Sequence, residues 1–177
     1  RTALPAQMII ITESEEYEGK NPLRQLAREY DVRVLDHEQD IGGRFAIFTN
    51  VGLLPAAIAG INIRALRSGA HSVLTQLENA AGPEDFAPAI GAAIQYGFYQ
   101  RSRNLSVMFP YGQRLSGFAA WYRQCWAESL GKDGKGTTPL CAMGSTDQHS
   151  QLQLYLNGPK DKLFHIITLK REGTGDE

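Results

Sequence analysis

Cysteine is scarce in this chain: of 177 residues, only Cys125 and Cys141 carry a thiol. Two cysteines build neither a disulfide framework nor a paired Cys-x-x-Cys zinc site, and such sparing use predicts a reducing, cytoplasmic setting. Excess charge is absent as well. The 18 Lys and Arg nearly balance 19 Asp and Glu, leaving a net charge of -1. Nothing in that balance steers the chain toward nucleic acid or an anionic membrane. No run reaches the roughly 18 apolar residues that cross a bilayer, and the first residues lack the apolar stretch of a secretory signal. No Gly-x-Gly-x-x-Gly or phosphate-loop pattern follows a predicted strand, which leaves a nucleotide-binding or redox α/β protein poorly supported. The chain begins at Arg1 rather than Met, so it is expected to be part of something longer.

What is present is ordinary for a globular protein, with 42% hydrophobic and 21% charged residues. Residues 8–12 form a short apolar run that reads as a buried parallel strand. Asn21-Pro22 starts a helix, Asn as cap and Pro in the first position. Residues 32–35 read as a second strand, completing a βαβ unit. Helical stretches follow over about 51–60, 61–80 and 83–103. Residues 105–109 are a third strand, ended by Pro110-Tyr111-Gly112. A helix over about 115–130, a glycine- and charge-rich loop at 131–136, a strand at 140–143, a helix at 146–156 and a strand at 163–168 complete the order. This alternation predicts an α/β fold, three-layer αβα with largely parallel sheets. A boundary between two α/β units is placed near residue 98, separating 1–97 from 98–177.

Chemistry is sought where segments leave the carboxyl ends of strands, because ligands gather there in open α/β sheets. After the second strand comes Gly42-Gly43-Arg44-Phe45. Adjacent glycines permit positive φ and close approach of another group, and Arg44 then offers five donors at the head of a new element. Many such triplets are plain turns. After the fourth strand comes Gly144-Ser145-Thr146-Asp147-Gln148-His149, with natural helix caps at 145–147 and His149 in the first turn. On position alone His149 reads first as a surface or capping residue; His165, inside an apolar strand, reads as packed. Gln124 and Glu128 are spaced i, i+4 and share a helix face, with Trp121 one turn earlier to limit water at the carboxylate. The alternative is a simple Glu128–Lys132 pair at the same spacing. In one cleft, Arg44, Glu128 and His149 would supply an anion stabiliser, a base and a second acid/base group. Those roles fit proton abstraction beside a carbonyl.

Taken together, several stretches resemble the bacterial type of the glucose-6-phosphate isomerase (phosphoglucose isomerase) family. They are Gly42-Gly43-Arg44-Phe45, Val51-Gly52-Leu53-Leu54-Pro55, Gln124 with Glu128-Ser129-Leu130-Gly131-Lys132, Asp133-Gly134-Lys135-Gly136 and Gln148-His149, in the family's order. The resemblance implies two sugar isomerase domains, a homodimer with sites completed across the interface, and interconversion of glucose 6-phosphate and fructose 6-phosphate without cofactor or metal. It also implies that Glu128 is the base between C1 and C2 and that Arg44 steadies the cis-enediolate. By the same likeness His149 helps open the sugar ring, often in the neighbouring subunit's site, while Gln124 and Gly43 bind substrate. Ala46 departs from the family's usual Ser or Thr. The family's phosphate-binding segments and a ring-opening lysine are expected outside residues 1–177, making this chain the middle of the enzyme and inactive alone. A non-catalytic sugar-phosphate-binding module is the alternative; it would need no base, and Gln124, Glu128 and His149 favour the enzyme.

Overall fold

A computed structural model of the chain describes residues 7–16 and 20–169. Two compact units divide between Asn79 and Ala80. In the first, strands β1 (Ile9–Glu13) and β2 (Arg33–His37) lie parallel, with Ile9 opposite Arg33 and Glu13 opposite His37. Helix α1 (Pro22–Tyr30) makes the crossover. As the local sequence predicts, the Asn21 side chain accepts from the Arg24 N–H at 3.1 Å, and Pro22 occupies the first turn. Asp31 ends the helix in the left-handed region at φ 54, and the Val32 N–H returns to the Ala27 carbonyl at 2.8 Å. Arg24 fastens α1 to both strands: its Nε donates to the Glu13 carbonyl at 2.6 Å and its guanidinium pairs with Asp36. Beyond β2 come a 3-10 helix (Gly43–Phe48), α2 (Asn50–Ile58) and α3 (Ile63–Asn79).

The second unit contains α4 (Ala87–Tyr99), β3 (Leu105–Tyr111), α5 (Ser116–Ser129), β4 (Thr138–Cys141), α6 (Thr146–Asn157) and β5 (Lys162–Thr168). Strand β3 is central, with β4 and β5 parallel on either side. All described strand pairings in the chain are therefore parallel. Five consecutive residues of β3, 106–110, are buried. Alternation sends Val107 and Phe109 to one face, where they form a core with Ala142, joined by Tyr111 and by Tyr155 of α6. Phe109 meets Tyr111 and Tyr155 edge-on at 5.4 and 6.3 Å between ring centres. Ser106 points to the other face, toward α5 and α4, so β3 is covered on both sides by helices in three layers.

One expectation is corrected here. The third strand runs through Pro110 to Tyr111 rather than ending at Phe109. Proline lacks a donor, and the continuous β4 ladder stops at Met108 opposite Cys141, resuming only in the isolated Tyr111–Gly144 bridge. The Pro110 carbonyl still accepts from Gly144 N–H at 2.9 Å. Helix α4 belongs to the second compact unit, where Gln95 lies 3.4 Å from the Ser106 hydroxyl.

Ser106 is only 2% exposed, and a buried hydroxyl needs partners. Its Oγ lies 2.6 Å from Tyr122 Oη and 3.1 Å from His165 Nε2. His165 is thus a packed residue, as the apolar strand around it suggests. Burial holds its pKa below the ordinary 6.5 and raises that of Tyr122, the latter eased by the Ser106 bond. As pH falls, the unfolded chain therefore takes up this proton before the folded one. The second unit should keep the His165 contribution above about pH 6.5 and lose it as acidity passes the folded pKa, a dependence absent from His165→Gln. Urea unfolding followed through Trp121 and Trp126 across about pH 7.5 to 5.5 measures this; identical slopes in both proteins would contradict it.

Candidate active site

Arg44 stands in the first turn of the 3-10 helix, whose opening bond runs from Phe45 N–H to the Gly42 carbonyl at 2.9 Å. The expected positive φ is not used: Gly42 has φ -60, and Gly43 is not among the positive-φ glycines. A right-handed first turn needs no left-handed residue. A Cβ on either glycine would meet nothing within 4 Å, so the pair leaves open backbone beside Arg44. The half-buried guanidinium lies 5.4 Å from the Phe45 ring centre, a cation–π distance.

What holds this turn is the approach of α2. A Cβ on Gly52 would lie 2.3 Å from the Ile47 carbonyl oxygen, so only glycine permits the contact. Thr49 joins the two helices, its Oγ1 donating to the Ala46 carbonyl at 2.7 Å and accepting from Val51 N–H at 3.3 Å. Ala46 is 2% exposed, so a methyl fits there without the partner that a hydroxyl would require. Asn50 Nδ2 donates to the Asp36 carbonyl at 2.8 Å, tying the start of α2 to β2.

Helix α5 carries two stripes. Ala119, Tyr122 and Trp126 face the sheet: the Ala119 carbonyl accepts from Cys141 Sγ at 3.1 Å, Tyr122 reaches Ser106, and Trp126 Nε1 donates to Thr137 Oγ1 at 2.8 Å. The Tyr122 and Trp126 rings stack at 5.5 Å. The other stripe holds Trp121, Gln124 and Glu128. Gln124 Nε2 donates to Glu128 Oε1 at 3.0 Å, so the structure brings these two predicted residues together. The Trp121 ring packs 5.8 Å from Phe118, and Glu128 is exposed. The dry surrounding expected from Trp121 is therefore not realised within the described residues.

His149 occupies the first turn of α6, exposed, its N–H directed to the Ser145 carbonyl at 3.2 Å. The expected Ser145 side-chain cap is not made. Instead Asp147 Oδ2 accepts from Met143 N–H at 2.6 Å, and the Tyr111 hydroxyl bonds to Gln148, fixing the turn to the carboxyl end of β3. Glu128 lies at the opposite end. It sits at the close of α5, beside the loop leading to Thr138, which pairs with Leu105 at the start of β3. Seven residues of strand, at roughly 3.3 Å each, separate the two ends by about 20 Å. One copy thus does not gather Glu128 and His149 into a single hollow, because a crossover helix returns the chain to the far end of its sheet. Arg44 belongs to the first unit. Among the described residues, no three His, Cys, Asp or Glu side chains converge as a metal site requires.

The sequence pattern described as "Phosphoglucose isomerase" matches residues 27–156. This chain belongs to the phosphoglucose isomerase family. Glucose-6-phosphate isomerase of Rubrobacter xylanophilus is 43% identical over 166 residues, covering 93% of this chain and 37% of the relative. A probable glucose-6-phosphate isomerase of Halobacterium salinarum is 49% identical over 146 residues, covering 82% of this chain and 34% of the relative. The crystal structure of a hypothetical protein from Thermus thermophilus aligns with a TM-score of 0.77 at 32% identity, over 89% of this chain and 37% of that one. The chain therefore spans about a third of the length of the relatives it matches.

Within this member of the phosphoglucose isomerase family, Gly52→Ala tests how the Arg44 turn is held. The added methyl should force α2 from the 3-10 helix and cost about 1–3 kcal/mol. Thermal unfolding followed by circular dichroism reads the loss; an unchanged midpoint would contradict the close approach.

Proposed function

We propose that the enzyme containing this chain interconverts glucose 6-phosphate and fructose 6-phosphate through a cis-enediolate. The observation that carries this reading is the Gln124–Glu128 pair, a carboxylate presented outward from a helix fixed to the sheet, in a chain of this family. Glu128 takes the C2 proton of the open-chain aldose and returns it to C1, while the hydroxyl proton passes from O2 to O1. Electrons are conserved within the sugar, so this step calls for no oxidant, reductant or cofactor. Arg44 faces the charge that develops on the enediolate oxygens; one such donor typically contributes about 3–4 kcal/mol. Gln124 binds sugar and steadies Glu128 through its amide, and the open backbone at Gly43 admits the substrate. His149 assists ring opening.

The placement of Glu128 and His149 at opposite ends of one sheet supports a homodimer in which His149 of one copy serves Glu128 of the other. Sparse, free cysteines support a cytoplasmic enzyme, and no helix among the described residues is long and apolar enough to cross a membrane.

In the complete enzyme, Glu128→Gln should lower kcat by about 10²–10⁴-fold while retaining sugar-phosphate binding. Wild-type turnover in deuterated water should place solvent deuterium on C1 or C2, which a non-catalytic binding module would not do. Mixed dimers of Glu128→Gln and His149→Ala chains regain one native site per hybrid, about a quarter of wild-type activity. Coupled assay of each preparation decides. Full turnover by Glu128→Gln removes it from the base role, and no recovery on mixing removes the shared site.

A further inference from the structure

A base must be held in place as well as supplied, and Glu128 occupies an exposed place for one. It is the second residue from the end of α5, where backbone carbonyls lose helical partners and the last turn tends to fray. The helix stops as Leu130 turns extended, and Gly131 follows at φ 83.

The chain then closes a tight loop. Gly131 N–H donates to the Lys135 carbonyl and Lys135 N–H to the Lys132 carbonyl, each at 3.0 Å. Asp133, Gly134 and Gly136 take positive φ, and a Cβ on Gly136 would lie 3.1 Å from Gly131 N. The loop thus folds onto its own start and returns Thr137 beside α5. There the Thr137 hydroxyl accepts from Trp126 Nε1 at 2.8 Å. The next residue, Thr138, donates its N–H to the Asn104 carbonyl at 2.8 Å and pairs with Leu105. On its other side the indole stacks on Tyr122, itself bonded to Ser106 of β3. The last turn of α5 is therefore joined to the sheet through one indole, two residues before Glu128.

We propose that Trp126 and Thr137 are positioning residues for proton transfer, fixing the rotation and height of the helix turn that carries Glu128. This rests on Glu128 as the base. Both partners have substitutes that keep shape and delete the bond: Thr137→Val removes the acceptor oxygen, and Trp126→Phe keeps an aromatic ring without the N–H.

The test uses the complete enzyme and glucose 6-phosphate carrying deuterium at C2. Thr137→Val and Trp126→Phe should each lower kcat about tenfold, short of the roughly 10²-fold that an ångström of misplacement costs. KM should stay near wild type, and the primary isotope effect on kcat should grow because proton transfer has become slower. Thr137→Ser, which keeps the hydroxyl, should recover most of the loss. Wild-type kcat in both bond-deleting variants would overturn the proposal, as would a fall in kcat that tracks the thermal midpoint with no change in isotope effect. Glu128→Gln, assayed alongside, separates the two levels: if it is inactive while Thr137→Val is normal, only the positioning role fails, whereas if it is active the base assignment fails.

Discussion

The buried hydroxyl of Ser106 gathers α4, α5 and β5 on one face of the central strand. Left without partners, such a group would cost the second unit a full desolvation penalty, so Tyr122 Oη, His165 Nε2 and Gln95 are drawn to it. Fixing Tyr122 fixes the rotation of α5. The Ala119, Tyr122 and Trp126 stripe must then meet the sheet, which turns Gln124 and Glu128 outward. The two residues proposed for sugar binding and proton transfer are thereby presented by a polar contact on the sheet side of the helix.

Much of this was legible locally. Asn21-Pro22 announced α1 because capping is settled within four residues, and the apolar runs announced parallel strands, of which β3 alone is buried along its length. The Gln124–Glu128 pair was legible because i, i+4 spacing on a helix is a statement about distance. Other features depended on what lies across the fold. Pro110 reads as a stop, but β5 pairs with β3 through it to Tyr111, and a bridge to Gly144 resumes on the other side. Gly42 and Gly43 read as positive-φ residues, yet the turn they begin is right-handed. Trp126 and Thr137 are 11 residues apart with a glycine-rich loop between them, and no periodicity connects the two.

The placement of Glu128 and His149 was the least legible of all. Linear order gives both residues to helices that follow strands, and ligands in open α/β sheets collect at the carboxyl ends. His149 obeys that rule, being in the first turn after β4. Glu128 does not, because it closes a helix that has already run back along the sheet. The proposed site needs both beside one sugar, so their separation along β3 turns the proposal about one chain into a proposal about two copies.

The most direct measurement is a crystal structure of the complete enzyme with a sugar-phosphate analogue of the enediolate bound. The account predicts the Glu128 carboxylate of one copy beside C1 and C2, the Arg44 guanidinium near the charged oxygens, and His149 contributed by the second copy at the ring oxygen. An analogue bound away from Glu128, or flanked by Glu128 and His149 of the same copy, would contradict it.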